Sequence, residues 1–287
     1  MTRVGFIGIG MMGSPMAHRL LAAGFSLTIQ DANPAREEAF LAKQAGARRA
    51  NGPHDLSACS FIITMLPSSS IVDTVVLELL PHLAPGVTVI DMSSADPART
   101  RVLGEKLKQR RVDLLDAPVS GGVKKAAAGT LAIMVGGEIG VIERARPLLK
   151  TMGEVVTHVG PIGAGHALKA LNNYVSAAAL IATAEAIHVG AAFGIDREVV
   201  VDVINASTGK NNTTENKAHQ FMLNGTFSSG FSLALQAKDV AIAASLGRKM
   251  GMPMRLGEHV DGITHAAAQA LGPLADHTEL YRFVGTS

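Results

Sequence analysis

Three glycines near the N-terminus have the spacing and the setting of a phosphate cradle. Gly8, Gly10 and Gly13 form a Gly-x-Gly-x-x-Gly turn between the apolar run Val4-Gly5-Phe6-Ile7 and a helical pattern at Met16, Ala17, Leu20 and Leu21. The pattern alone is weak because glycine is common; a strand before it and a helix after it make it specific. Gly8 permits the sharp turn, Gly10 lets backbone approach a pyrophosphate, and Gly13 lets helix and strand pack closely. The helix start aims free N–H groups at the phosphates. Met11 and Met12 complete the turn and count among the cofactor contacts. Asp31 ends the next apolar stretch, Leu27-Thr28-Ile29, where a dinucleotide fold places the acid that binds the ribose hydroxyls. A carboxylate there repels a 2′-phosphate, and Ala32 and Asn33 supply no cation, so NAD is expected over NADP; Arg36 works in the other direction.

Other residues must hold a substrate and move a proton. In Asp116-Ala117-Pro118-Val119-Ser120-Gly121-Gly122, a hydroxyl followed by two glycines offers a carboxylate one O–H and several unshielded backbone N–H groups. The segment follows a strand, at the end where open α/β sheets bind ligands. Further on, Lys169 and Asn173 are four apart and share one helix face, after the glycines Gly160, Gly163 and Gly165. A lysine near an apolar helix start can have its pKa lowered by desolvation and by the helix terminus, and can then act as a general acid or base. Lys238 and Asp239 interrupt an apolar helical run and, taken alone, read as a solvated helix face.

These residues need a frame. In the first half, apolar runs at 61–66, 87–91, 112–116, 131–137 and 155–159 alternate with helical stretches, which implies a largely parallel sheet covered on both faces. After residue 162 no convincing strand is found. Apolar residues recur at helical spacing over 167–192, and further helices are expected at 197–206, 214–223, 233–250, 254–270 and 276–283. The fold class is therefore α/β: a doubly wound N-terminal domain at 1–162 and an all-helical domain at 163–287 led by one long helix. That helix has apolar positions around most of its circumference, so one side is free to meet a second subunit as a homodimer or homotetramer.

The 287 residues suit one large or two ordinary domains, and nearly half are hydrophobic. A formal net charge of +2 argues against nucleic acid as a partner. The single cysteine, Cys59, excludes an intrachain disulfide and fits a reducing, cytoplasmic setting. The stretch 175–193 is apolar but Ala-rich and interrupted by Glu185 and His188, so it reads as a packing helix and no membrane partner is expected. His259, His265 and His277 lack zinc-site spacing, and no metal is expected.

Five stretches, GIGMMGSPMAHRL, TMLP, DAPVSGG, GPIGAGHALKALNN and LQAKD, occur in an order that resembles the β-hydroxyacid dehydrogenase family, which includes 3-hydroxyisobutyrate dehydrogenases and tartronate semialdehyde reductases. They span nearly the whole chain. The resemblance implies a Rossmann domain joined to a helical domain, with the active site in the cleft between them. It implies Lys169 as the catalytic lysine with Asn173 as its partner, Ser120, Gly121 and Gly122 as the carboxylate loop, and Lys238 closing over cofactor and substrate. Met65, Leu66, Pro67 and Ser94 match positions lining the cofactor. The partner is then a small carboxylate, such as 3-hydroxyisobutyrate, glycerate with tartronate semialdehyde, or L-threonate. Two departures bear on which. Lys124 and Lys125 make the carboxylate loop more basic: they read first as a surface lysine pair, with Lys124 as a cation for a second anionic group the alternative. Lys210 to Asn216 is polar, which fits a hydroxylated substrate, although helix capping by Thr213 or Thr214 explains it without a substrate. The family's imine-reducing branches tend to replace the lysine, so its presence favours a hydroxyl or carbonyl substrate. A non-catalytic dinucleotide sensor is the rival from another class, but it could dispense with Lys169 and Ser120.

Overall fold

Strands that are apolar on both faces are stable only inside a sheet covered on both sides. The computed structural model describes residues 2–286. Its single sheet contains β1 (Arg3–Ile7), β2 (Ser26–Gln30), β3 (Ala47–Arg49), β4 (Phe61–Thr64), β5 (Thr88–Asp91), β6 (Asp113–Asp116), β7 (Val119–Ser120), β8 (Leu131–Gly136) and β9 (Gly153–Gly160). The order is β3-β2-β1-β4-β5-β6-β8-β7, with β9 paired to β8. Pairing is parallel from β3 through β6 and between β8 and β9; β8 runs antiparallel to β6 and β7. Chain order reverses between β1 and β4, the topological switch point of a Rossmann sheet, where ligands bind beyond the carboxyl ends of the strands.

The period of two along each strand divides the core. Phe6, Ile63, Ile90 and Leu115 enter one cluster, and Ile7, Ile62 and Val89 enter another. Two short strands were not anticipated: β3, and β7, which puts Ser120 at a strand end and not in a plain loop. Both are too short to carry a periodic signal.

The chain divides into two compact units between Lys169 and Ala170. The break falls inside the helix Ala164–Phe193, later than the expected 162, because the first turn of that helix is tied to the sheet. In the second unit, Ala177, Leu180, Ala184 and Ile187 repeat at helical spacing and are fully buried. They join two clusters with residues such as Leu233, Val240, Val260 and Met222. By length and hydropathy this helix could cross a membrane, and a third of its most apolar window is buried in the protein.

The helices Arg197–Asn205, Leu233–Lys249 and Arg255–Leu271 lie within a residue of expectation. The helix expected at 214–223 is instead a short helix, Asn212–Asn216, followed by a π-helical turn, Ala218–Leu223. Its cap is also different: Asn211 accepts N–H bonds from Thr213 and Thr214, and Thr214 Oγ1 accepts from the Asn211 N–H. Asparagine wins because its carboxamide oxygen reaches two orphan N–H groups at once. The last helix begins with a 3-10 turn, His277–Glu279, capped by Asp276.

Candidate active site

The glycine turn follows β1 directly. Gly8 has φ +100°, and a side chain there would collide with the Met65 carbonyl oxygen. A side chain at Gly13 would collide with the Gly8 carbonyl oxygen, whereas one at Gly10 would meet only Arg36 Nη1 at 3.9 Å. Gly8 and Gly13 are thus needed for the close approach of strand and helix, and Gly10 leaves an open face. The helix Gly13–Ala22 has no side-chain cap and no acidic residue in its first turn. Its orphan N–H groups and positive dipole end are therefore left for an anion. Met11 is exposed and Met12 half-buried at the helix start.

Asp31 sits just past β2 with a side chain only 6 % exposed. Its Oδ2 accepts the Ile9 N–H (2.7 Å) and its Oδ1 the Asn33 N–H (2.8 Å). The carboxylate therefore braces the glycine turn. Arg36 Nη1 stands 3.7 Å from Asp31 Oδ1. Across the switch point, Met65 N–H donates to the Ile7 carbonyl and Leu66 N–H to Ser93 Oγ; Pro67 is exposed and Ser94 half-buried. This open glycine turn, uncapped helix start and braced acid fit a nicotinamide dinucleotide.

Beyond β6 the chain enters Ser120, Gly121 (φ +136°) and Gly122 (φ +69°). Those φ values favour glycine and leave backbone N–H groups unshielded. Lys125 folds back so that its aliphatic stem lies against Gly121; a Cβ at Gly121 would stand 2.7 Å from Lys125 Cδ. Lys124 is exposed.

The long helix carries Lys169, half-buried, and one turn later Asn173, 8 % exposed. Asn173 Nδ2 donates to Asp239 Oδ2 at 2.6 Å. Asp239 is buried, and its Oδ1 is 3.5 Å from Lys238 Nζ. The solvated-face reading of Lys238 and Asp239 is therefore corrected. A carboxylate in an apolar helical run must have a partner, and Asn173 supplies it. That interruption was the available signal. Sequence reasoning also missed the individual roles of Asp116 and His166. Asp116 accepts the N–H of Gly163 (2.7 Å) and of His166 (2.8 Å).

Residues 3–160 match the family described as the NAD binding domain of 6-phosphogluconate dehydrogenase. Residues 163–284 match the one described as NAD-binding of NADP-dependent 3-hydroxyisobutyrate dehydrogenase. The chain belongs to the β-hydroxyacid dehydrogenase family. It is therefore an oxidoreductase that acts on CH–OH groups with a nicotinamide dinucleotide. Among its relatives in this family are the 2-(hydroxymethyl)glutarate dehydrogenase of Eubacterium barkeri, 37 % identical over 88 % of this chain and 84 % of that protein, and the NAD-dependent L-serine dehydrogenase of Pseudomonas aeruginosa, 39 % identical over 85 % and 84 %. The solved 3-hydroxyisobutyrate dehydrogenase of Mycobacterium tuberculosis with L-serine superposes with a TM-score of 0.93 at 33 % identity, covering 99 % of both chains.

Proposed function

We propose that this β-hydroxyacid dehydrogenase uses NAD to interconvert the C3 hydroxyl of a short carboxylic acid and the corresponding carbonyl, with Lys169 as the general acid and base. The observation that carries the reading is the helix face bearing Lys169 and, one turn on, the buried Asn173 clamped by Asp239. Bound at the glycine turn, the nicotinamide dinucleotide supplies the hydride acceptor or donor. In oxidation the neutral Lys169 amine takes the proton of the substrate hydroxyl. In reduction the ammonium returns it and stabilises the developing negative charge on oxygen. Ser120 Oγ and the N–H groups of Gly121 and Gly122 hold the substrate carboxylate. Asn173, its rotamer fixed by Asp239, donates beside Lys169, and Lys238 adds a cation next to Asp239.

Preference for NAD rests on the acid at Asp31 and on the NAD-dependent relative; Arg36, 3.7 Å away, leaves a route to a 2′-phosphate. For the substrate, 3-hydroxyisobutyrate, L-serine and glycerate fit one carboxylate in the Ser120 loop. A second reading, a dianionic 3-hydroxy acid, is favoured by the 2-(hydroxymethyl)glutarate dehydrogenase relative.

Reduced cofactor formation, followed at alkaline pH with NAD and NADP over L-serine, 3-hydroxyisobutyrate, glycerate, L-threonate and 2-(hydroxymethyl)glutarate, tests both choices. NAD-linked turnover of one acid, lost in Lys169→Ala, supports the assignment. Turnover that survives the substitution overturns it, and a higher kcat/KM with NADP reverses the cofactor.

We also propose a homo-oligomer joined through the apolar residues that the long helix and its successor leave open, Val175, Val189, Phe193, Val199 and Val203. Light scattering should give more than one chain per particle, and Phe193→Asp should lower that number. A monomeric wild type at micromolar concentration rules the interface out.

A further inference from the structure

We propose that Asp116 is a positioning residue, a single buried carboxylate that fixes the catalytic-lysine helix to the strand leading into the substrate-carboxylate loop. The inference rests on the reading of Lys169 as the proton-transfer group.

Asp116 is the last residue of β6 and is fully buried. Its two oxygens are divided between two donors of one helix start: Oδ1 takes Gly163 N–H and Oδ2 takes His166 N–H. A carboxylate at this end also complements the helix dipole. Lys169 follows His166 by three residues, so one turn of helix separates the anchor from the amine. In the other direction the chain reaches Ser120 four residues past Asp116. One side chain thus sets where both groups stand.

The surroundings are cut to fit this anchor. A Cβ at Gly136 would collide with Asp116 Oδ1, and a Cβ at Gly165 would stand 2.9 Å from Asp116 Oδ2 and collide with the Met134 carbonyl oxygen. Gly163 has φ +88° and packs against the Pro97 carbonyl. Gly165 is therefore accounted for by the close approach of this helix start to β6 and β8, and Gly163 by its approach to Pro97. His166 adds a lateral tie. His166 Nδ1 and Thr100 Oγ1 share a hydrogen bond of 2.8 Å. His166 Nε2, without a hydrogen-bond partner, faces Asp91 Oδ2 at 3.7 Å. Asp91 pairs in register with Asp116 on the adjacent strand.

Asp116→Asn keeps the shape but turns an N–H donor toward one of the two helix N–H groups. In the full-length enzyme, with NAD and the panel acid that the wild type turns over, kcat is expected to fall about 10- to 100-fold, the loss typical of a small displacement of a reacting group. The NAD dissociation constant should stay within about twofold, because the glycine turn is untouched. Hydrogen exchange, read by mass spectrometry on peptides covering 161–171, should speed up in the variant while peptides of β1 and the glycine turn stay unchanged. Gly165→Ala displaces the same helix start with the carboxylate intact and should reproduce the kcat loss; it serves as well where Asp116→Asn does not fold. An unchanged kcat in both variants, or unchanged exchange over 161–171, overturns the proposal. So does a parallel loss of NAD binding and melting temperature, which marks a merely structural residue. If Lys169→Ala keeps its turnover, the lysine assignment fails; accelerated exchange over 161–171 with a reduced kcat then still reports on the anchor itself.

Discussion

Gly8, Gly10 and Gly13 act by what they lack, whereas Asn173, Lys238 and Asp239 act through side chains that other side chains must hold in place. In the sheet unit, the proposed cofactor site consists of glycines and backbone N–H groups beside the strand ends. In the helical unit, the proposed site rests on buried polar side chains: Asn173 and Asp239 are both nearly inaccessible. Burial also shifts titratable groups in both units, raising acids such as Cys59 and Tyr281 and lowering bases. Burial pushes Cys59 up in the sheet unit, while in the helical unit it pushes His277 down to about 4 and Lys217 down to about 8, the latter drawn back upward by Asp276. A sheet can form a site from backbone at little desolvation cost, because its polar groups are paired in any case. A helical bundle has no spare backbone donors away from helix ends, so polar groups in its interior come from side chains, as in the bond from Asn173 to Asp239.

The largest expected effect separates chemistry from cofactor binding. Lys169→Ala should lower kcat about 1,000- to 10,000-fold, with NAD affinity measured by fluorescence titration unchanged; a parallel loss of affinity would show that the helix, not the amine, had been damaged. Gly13→Ala is the reciprocal break. The new methyl meets the Gly8 carbonyl oxygen, so strand and helix must part. NAD affinity should drop by a factor on the order of 100, with instability of a few kcal/mol, in the range of overpacking and strain. Normal NAD binding in that variant would refute the cradle.

Acid should act on the helical unit first. His277 is held below its unfolded value by burial and by the Lys217 charge, with Asp276 opposing, so the native state keeps it neutral. The unfolded chain binds that proton more readily. The stability tied to a neutral His277 is therefore complete above pH 6.5 and lost as pH falls through about 4, on the order of 3 kcal/mol in all. Lys217 has the same sign in another window: burial costs stability below about pH 8 and the loss is recovered as pH rises toward 10.5. Hydrogen exchange at pH 5 against pH 7.5 should open peptides around 217–231 and 275–283 before those of β1, β4 and β5. Simultaneous opening would remove the distinction between the units. The smallest effect is expected from Asp239→Asn. It weakens a charge-assisted bond to Asn173 and should reduce kcat about tenfold, with melting temperature little changed; no effect on steady-state kinetics would remove Asp239 from the site.

The glycine turn, the strand alternation and the five family stretches were legible because each is local: a turn needs particular φ values, and a buried strand needs an unbroken apolar run. Ser120-Gly121-Gly122 and the pair Lys169, Asn173 belong with them, since four-residue spacing on a helix fixes a common face. The capping of Asn212–Asn216 was misassigned by two or three residues because several adjacent polar residues could cap, and only packing chose Asn211. The bond from Asn173 to Asp239, and the anchoring of Gly163 and His166 by Asp116, link residues far apart in the chain. Sequence alone determined the fold class and the family, because those depend on local geometry and period. Tertiary structure decided which carboxylates are buried, what each one holds, and that the long helix starts on the sheet: a buried charge takes whatever donors the fold brings to it, and that choice has no local signature.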